Sequence, residues 1–250
     1  MNVFGDAFAY LNDPLNWTRP RGILELAGEH VRIAALAMLI ALVVAVPVAM
    51  WLGHTGRGGG FTVALANISR AVPTLAILTI FAVTPFGFTI WAPVIALSIF
   101  AVPPILTNTY VGFREVDRDV VEAARAMGMS ESQVVFRAEL PLAVPLMMTG
   151  IRTAAVQVVA TATLAALLGG GTLGSIIRTG FARQDNGVIV AGALLVAGLA
   201  VLTEVLLALL SWLITPGPRR LPSLRPRSTR PVPEGVDPGA PERVGSAAPS

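Results

Sequence analysis

The segment that decides the fold is DRDVVEAARAMGMSESQVVFRAELP, residues 117–141, which is charged, helix-patterned and placed between two long apolar stretches. Asp117 can cap a helix whose apolar residues recur at helical spacing. These residues are Val120, Ala123, Ala124 and Met127. Gly128 can supply the left-handed residue that ends this helix.

A second helix is predicted directly after the glycine. Ser130 and Gln133 match the pattern of a capping box, in which each residue satisfies a backbone N–H of the other. Pro141 is predicted to begin the next membrane span, because proline is favoured in the first turn of a helix. We therefore expect two short helices outside the bilayer, joined at a glycine.

The composition predicts a membrane protein and excludes several kinds of site. The chain is 54% hydrophobic and 13% charged, where soluble proteins carry about 25% charged residues. Without cysteine it has no disulfide and no thiolate ligand. All 18 basic residues are arginine, and a Walker A loop needs a lysine. We predict no catalytic residues, no metal site, no cofactor and no nucleic-acid partner.

The apolar pattern predicts an all-α polytopic membrane protein with five transmembrane helices. Segments of about 20 residues can cross ~30 Å of hydrocarbon, and the five predicted spans are residues 31–52, 61–83, 88–112, 141–168 and 188–214. They form a transmembrane domain over residues 30–215. Residues 1–29 lack the pattern of a signal peptide. We expect them either to lie at the membrane surface or to form a loose terminus.

The remaining segment, residues 216–250, contains nine prolines and six arginines. It has too little apolar sequence to build a core, so we expect a disordered tail. Contact of its first arginines with anionic lipid is the alternative to a solvated tail.

Arginine counts predict the orientation, because cytoplasmic loops are enriched in basic residues. Eleven arginines fall on the side of the charged loop and the tail, and five fall on the other side. This places the loop and the C-terminus in the cytoplasm and the N-terminus outside. Without the tail the count is five arginines against five, so the arginines of the tail decide the predicted orientation.

Two motif matches are rejected. Gly169, Gly171 and Gly174 satisfy the dinucleotide pattern G-x-G-x-x-G, but a predicted membrane helix precedes them where that motif needs a strand. His30 and His54 lie at opposite ends of the first span, about 36 Å apart along a helix. They cannot share a metal or catalytic site within one subunit.

Three charges inside predicted spans, Arg70, Arg152 and Glu204, lie at similar depth, about 15 Å from the cytoplasmic ends of their helices. Charges at such depth are costly unless paired or facing water. They can form a structural ion pair, line a translocation path or gate, or lie at the interface if the helices overhang the membrane. Arg152 and Glu204 are predicted to meet, because their spans run antiparallel, and Arg70 competes for Glu204.

The charged segment resembles the EAA loop of ABC-importer permeases. The resemblance rests on six residues at the family's spacing: Glu122, Ala123, Ala124, Gly128, Leu140 and Pro141. Ala138 departs from the family pattern, which has a large aliphatic residue there. The resemblance implies the type I importer permease fold, with residues 117–139 seated in a cleft of an ATPase. Glu122 would then face a basic residue of that ATPase, and Gly128 would supply the bend.

Five further stretches resemble permeases for glycine betaine, choline, carnitine and related osmoprotectants. They are GHTGRGG (53–59), PPILTNTYVG (103–112), DVVEAARAMGM (119–129), ELPLAVPL (139–146) and VVATATLAALLGGGTLG (158–174). The predicted spans offer few aromatic residues for a cage around a quaternary ammonium. This agrees with recognition by a separate binding protein.

The resemblance implies the partners and the location. They are a cytoplasmic ABC ATPase dimer that hydrolyses the ATP, an extracytoplasmic solute-binding protein, a second permease subunit (a second copy or a paralogue) and the lipid of a bacterial inner membrane. The alternatives are an ABC permease for another small solute, an ion-coupled secondary transporter and a non-transporting scaffold. Five spans without an internal repeat weigh against a secondary transporter.

Overall fold

The computed structural model describes residues 2–85, 87 and 89–215, apart from the side chains of Val63, Ile68, Ser69 and Arg70. The predicted tail, residues 216–250, lies outside the described residues. Every regular element in the described part is helical. The α-helices are α1 Val3–Asn12, α2 Pro14–Thr18, α3 Ile23–Thr55, α4 Gly59–Ala71, α5 Thr74–Ala82, α6 Trp91–Arg114, α7 Arg118–Ala126, α8 Glu131–Gln133, α9 Leu140–Ala162, α10 Gly174–Arg183 and α11 Asn186–Ile214.

The core lies where α3, α6 and α9 pack together. One face of α3 carries alanines at every third or fourth position, and they are fully buried: Ala34, Ala37, Ala41, Ala45 and Ala49. Small residues let membrane helices approach closely, so dispersion contacts hold the bundle where lipid weakens the hydrophobic effect. Leu97 and Ile105 of α6 and Val158 of α9 fill the space against this stripe.

Four helical segments of the described chain are long and apolar enough to cross a membrane. They are Pro14–Thr55, Trp91–Arg114, Glu131–Leu168 and Asn186–Ile214. The predicted second span, residues 61–83, is divided into α4 and α5. The break falls at Pro73, because proline has no N–H to donate and restricts the residue before it.

The divided segment still runs from one end of the bundle to the other. Its first residue, Gly59, lies beside the hydroxyl of Tyr110 near the end of α6. Gly87, after α5, lines a small cavity with Glu29 and Gly169 at the opposite end. The chain therefore passes along the whole bundle between these points, and the count of five membrane spans stays a prediction.

Pro141 lies in the first turn of α9, as predicted, but α9 is not a separate helix. α8 continues through a wide π-helical turn, Val134–Glu139, directly into α9. In this turn the N–H of Leu140 donates to the carbonyl of Val135, five residues earlier. A π turn changes the hydrogen-bond register, so the missing N–H of Pro141 is accommodated without a break. The second loop helix and the fourth predicted span are one helix.

The N-terminal segment is packed rather than loose. Ala7 of α1 is buried, and a Cβ at Gly187, the second residue of α11, would lie 2.6 Å from the Asp6 Cβ. The indole N–H of Trp17 donates to the carbonyl of Leu11 at 2.7 Å. These contacts place α1 at the end of the bundle where α11 begins. Whether this segment lies at a membrane surface stays a prediction.

A short helix follows the glycine-rich connection. A 3₁₀ turn, Thr163–Leu168, ends at Gly169, whose φ is +85°, and α10 begins at Gly174. A helix and not a strand precedes Gly169. The structural context of a dinucleotide fingerprint is therefore missing from this part of the chain.

Candidate functional site

The charged loop begins and ends as its sequence predicts. The Asp117 carboxylate accepts a hydrogen bond from the N–H of Asp119 at 3.0 Å and caps α7. Gly128 follows α7 with φ +82°. The capping box of Ser130 and Gln133 is formed in both directions. These three predictions are confirmed, because each depends on contacts between residues at most three apart.

The helix α7 turns one face inward and one face outward. Val121 and Ala124 are buried in a small cluster with Val116 and Val134. The exposed face carries the apolar residues Val120, Ala123 and Met127, and the acidic Glu122 is exposed as well. Met127 is 72% exposed and Val120 is 41% exposed. The sequence grouped Ala124 with Val120, Ala123 and Met127, but Ala124 lies on the inner face, together with Val121. We call Val120, Ala123 and Met127 the coupling surface.

Gly128 stands in open space. No atom lies within 4 Å of the position that a Cβ would take. Its left-handed backbone is therefore the reason for a glycine, because other residues pay about 1–2 kcal/mol for this conformation. The resulting turn directs the chain from α7 into α8.

An ion pair joins the two loop helices. The Arg125 guanidinium donates two hydrogen bonds to the Glu131 carboxylate, from Nε and from a terminal nitrogen, each 3.0 Å long. This contact lowers the pKa of the Glu131 carboxyl, chiefly through the hydrogen bonds. Both side chains are exposed, so the pair orients the loop more than it stabilises the fold.

His54 extends this contact to the end of α3. Its Nδ1 lies 2.6 Å from Oε2 of Glu139, and its Nε2 lies 3.1 Å from Oε2 of Glu131. The Glu139 side chain is 1% exposed. An ionised carboxylate only accepts hydrogen bonds, so His54 can donate to both when both ring nitrogens carry protons. The end of α3 is thereby connected at one imidazole to two turns of the helix that runs from α8 into α9.

Sequence reasoning missed this network. It treated His54 only as a partner for His30, which instead contacts the carbonyl of Val159 through Nε2 at 2.8 Å. The available signal was the spacing of Glu131 and Glu139, which are eight residues apart and so share a face of one helix. Glu131 and Glu139 both follow the turn at Gly128, in the segment that meets the end of α3.

Leu140 and Pro141 lie half-buried at the start of α9. Leu140 packs against a cluster of Phe113, Ala143 and Met147. These two residues therefore anchor the loop to the bundle and contribute no side chain to the coupling surface.

The structure brings together two of the three intramembrane charges. Arg152 of α9 donates a hydrogen bond to Glu204 of α11. The two side chains are 33% and 42% exposed, so they face the surface of this chain. The side chain of Arg70 lies outside the described residues. The described residues contain no group of His, Cys, Asp and Glu that could hold a metal ion.

The fold and this loop define the class of this protein. It is a polytopic helical membrane protein, and its exposed loop helices connect the spans to any molecule that binds the loop. The family follows from comparison with known proteins. The chain belongs to the family of binding-protein-dependent transport system inner membrane components, whose model matches residues 33–215. It is a permease subunit of a transport system and not an enzyme.

Named relatives share about a third of their sequence with this chain. The glycine betaine/carnitine/choline transport system permease protein OpuCB of Bacillus subtilis is 33% identical over 208 residues, 82% of this chain and 95% of the relative. The choline transport system permease protein OpuBB of Bacillus subtilis is 36% identical over 197 residues, 78% of this chain and 90% of the relative. The carnitine transport permease protein OpuCB of Listeria monocytogenes is 36% identical over 195 residues, 78% of this chain and 88% of the relative.

Solved structures show the same fold. A chain of the MetNI methionine ABC transporter in an inward-facing form matches with a TM-score of 0.67 and 20% identity, over 82% of this chain and 100% of that chain. A chain of an amino acid ABC transporter with histidines matches with a TM-score of 0.64 and 15% identity, over 84% of this chain and 97% of that chain. The type I permease fold predicted from the resemblance agrees with these likenesses.

Proposed function

We propose that this permease forms the membrane path for a small osmoprotectant such as glycine betaine, choline or carnitine, in a bacterial inner membrane. The support is the set of relatives whose names carry these solutes, each matched over at least three quarters of this chain. The import is driven by ATP hydrolysis on a separate cytoplasmic ATPase dimer.

The observation that carries the coupling role is the exposed apolar face of α7. Val120, Ala123 and Met127 have no packing partner on the described chain that buries them, although Val121 and Ala124 beside them are well buried. A contiguous apolar surface bordered by charges fits a protein contact. Glu122, exposed on the same helix, would meet a basic residue of the ATPase, and Gly128 would set the angle of the helix.

The chain would cross the membrane five times, with α4 and α5 together making the second crossing. The loop end of the bundle would face the cytoplasm and α1 the outside. Support comes from the arginine count, and from the path of the chain between Gly59 at the loop end and Gly87 at the other. A solute-binding protein would then dock near α1 and α10, and a second permease would complete the path.

Transport assays test this function. A strain lacking this chain, supplied with labelled glycine betaine, choline or carnitine, should lose uptake of at least one of them, and the wild-type gene should restore it. Uptake that needs an intact ATPase and resists a protonophore supports ATP coupling. Uptake that stops with the protonophore and continues without the ATPase would instead favour the ion-coupled alternative, with Arg70, Arg152 and Glu204 as its candidate groups. If the strain instead loses uptake of a different small solute, the chain is still an ABC permease, but for that solute.

A further inference from the structure

A polar cavity of about 430 Å³ lies between α5, α6 and α9, within the ~300–1,000 Å³ typical of small-molecule sites. We call it the polar recess. Its polar lining consists of Thr74, Thr107, Asn108, Thr153 and Gln157. None of these residues belongs to the coupling surface or to the His54 network.

The recess lies well away from the loop end of the bundle, measured along α6. Asn108 and Phe100, which both line it, are six and fourteen residues before the end of α6 at Arg114. At helical rise they lie about 9 and 21 Å from that end. This is the depth of the hydrocarbon core, where polar side chains are costly unless they have a partner or water.

Several polar groups of the recess lack such a partner. The hydroxyl oxygen of Thr107 is buried and has no hydrogen-bond partner among the described residues. The Gln157 amide makes no side-chain hydrogen bond to the described part of the chain either. A buried donor or acceptor left unpaired costs about 1–3 kcal/mol. Thr107 on α6 and Gln157 on α9 are therefore suited to pairing with a bound molecule.

A proline within α6 leaves a further hydrogen-bond acceptor in this region. Pro104 lies within α6 and lines the recess. It has no N–H, so it cannot donate to the carbonyl of Phe100, four residues earlier. The Asn108 amide nitrogen donates to the carbonyl of Pro104 at 2.8 Å, which leaves the Asn108 amide oxygen as an acceptor. Oxygen acceptors and hydroxyl or amide donors therefore line the same cavity.

The described charges nearest the recess are paired with each other. The described residues of the recess carry no charge. Arg152 and Glu204 line a neighbouring cavity that shares Thr153 and Gln157 with the recess, and these two charges are paired with each other. Donors suit a carboxylate, and carbonyl and amide oxygens suit a quaternary ammonium, so the surroundings fit a molecule that carries both charges.

We propose that the polar recess is a solute site within this subunit, where a small zwitterion pauses on its way across the membrane. Its carboxylate is held by the Thr107 hydroxyl and the Gln157 amide, and its cationic end by the oxygens of α6. This proposal rests on the proposed function, since it concerns where the imported solute binds.

The test measures binding of labelled glycine betaine and choline to the nucleotide-free complex of this permease with its copurified ATPase, in nanodiscs and without a binding protein. The variants are Thr107→Val and Gln157→Leu in the recess, because the Thr107 hydroxyl has no partner among the described residues. The control is Thr161→Val on α9, whose hydroxyl already donates to the carbonyl of Gln157 at 2.7 Å. Thr161 does not line the recess.

Each recess variant should weaken glycine betaine binding roughly tenfold, the effect of one lost hydrogen bond, while Thr161→Val binds like the wild type. Gln157→Glu adds a negative charge and should shift the preference from glycine betaine toward choline, by roughly tenfold. A gain in choline binding cannot arise from misfolding. Binding is expressed per copurified ATPase.

Two results overturn the proposal: recess variants that bind both solutes like the wild type, or an equal loss of binding in Thr161→Val. Import is measured separately, in the cells of the uptake assay. A wild-type gene that restores uptake of none of the labelled osmoprotectants would overturn the proposed function, and the recess site with it. Normal uptake with the wild type and with every recess variant would overturn the recess site alone.

Discussion

Nδ1 of His54 lies 2.6 Å from Oε2 of Glu139, although the two residues are 85 positions apart in the chain. The contact joins the last turn of α3 to the π turn that leads into α9, and Glu131 holds the other ring nitrogen. Through this one side chain the loop is therefore connected to two core helices, α3 and α9. We expect His54 to transmit movement of the loop to the spans.

The first prediction concerns His54. Replacing it with alanine leaves the buried Glu139 carboxylate without its partner, at a cost of about 1–3 kcal/mol. We expect lower thermal stability of the complex and less solute imported per ATP hydrolysed. Thr55→Ala, the next residue of α3, is the control, because its hydroxyl bonds only to carbonyls of its own helix. A His54→Ala complex with wild-type coupling would refute this role.

The second prediction concerns the turn at Gly128. Gly128→Val should abolish uptake while membrane insertion stays normal, because a β-branched residue is strained at φ +82° and the spans are untouched. Gly128→Asn is the matched control, since asparagine tolerates this backbone region and the site is open. Uptake and membrane abundance are measured together. Equal activity of the two variants would show that the left-handed turn is not needed.

The third prediction concerns the coupling surface. Met127→Asp places a charge on its most exposed apolar residue and should reduce the amount of ATPase that copurifies by at least tenfold. The fold should be unaffected, because Met127 is 72% exposed. Phe181→Asp is the control, since Phe181 is 66% exposed on α10, at the other end of the bundle. Undiminished copurification with Met127→Asp would remove the proposed ATPase contact.

The fourth prediction concerns the pair within the membrane. Glu204→Gln leaves Arg152 without its counter-charge, so the abundance of the subunit in the membrane should fall. The loss should be smaller than the ~3–5 kcal/mol of a fully buried pair, because both side chains are partly exposed. Adding Arg152→Gln should partly restore abundance, and adding Arg70→Gln should restore less. A double variant no more abundant than Glu204→Gln would refute the pair as a stabilising contact.

Local features of this protein follow from the sequence alone. The cap at Asp117, the left-handed Gly128 and the capping box of Ser130 and Gln133 each involve residues at most three apart, so their geometry depends on residue type. The apolar lengths of the spans are likewise set by composition. The six residues of the EAA pattern were sufficient to place the chain in its family.

Contacts between distant segments were decided by the tertiary structure. Helical spacing groups Val120, Ala123, Ala124 and Met127, but only packing against Val116 and Val134 determines which side is buried. A pattern of charges allowed Arg70 or Arg152 to meet Glu204, and the placement of α9 against α11 brings Arg152 to it.

The His54 network has the same origin. It depends on how α3 and α9 approach each other, and nothing in either segment alone sets that approach. Periodicity determines which face of a helix is apolar, whereas the neighbour that covers this face is chosen by the free energy of the whole bundle.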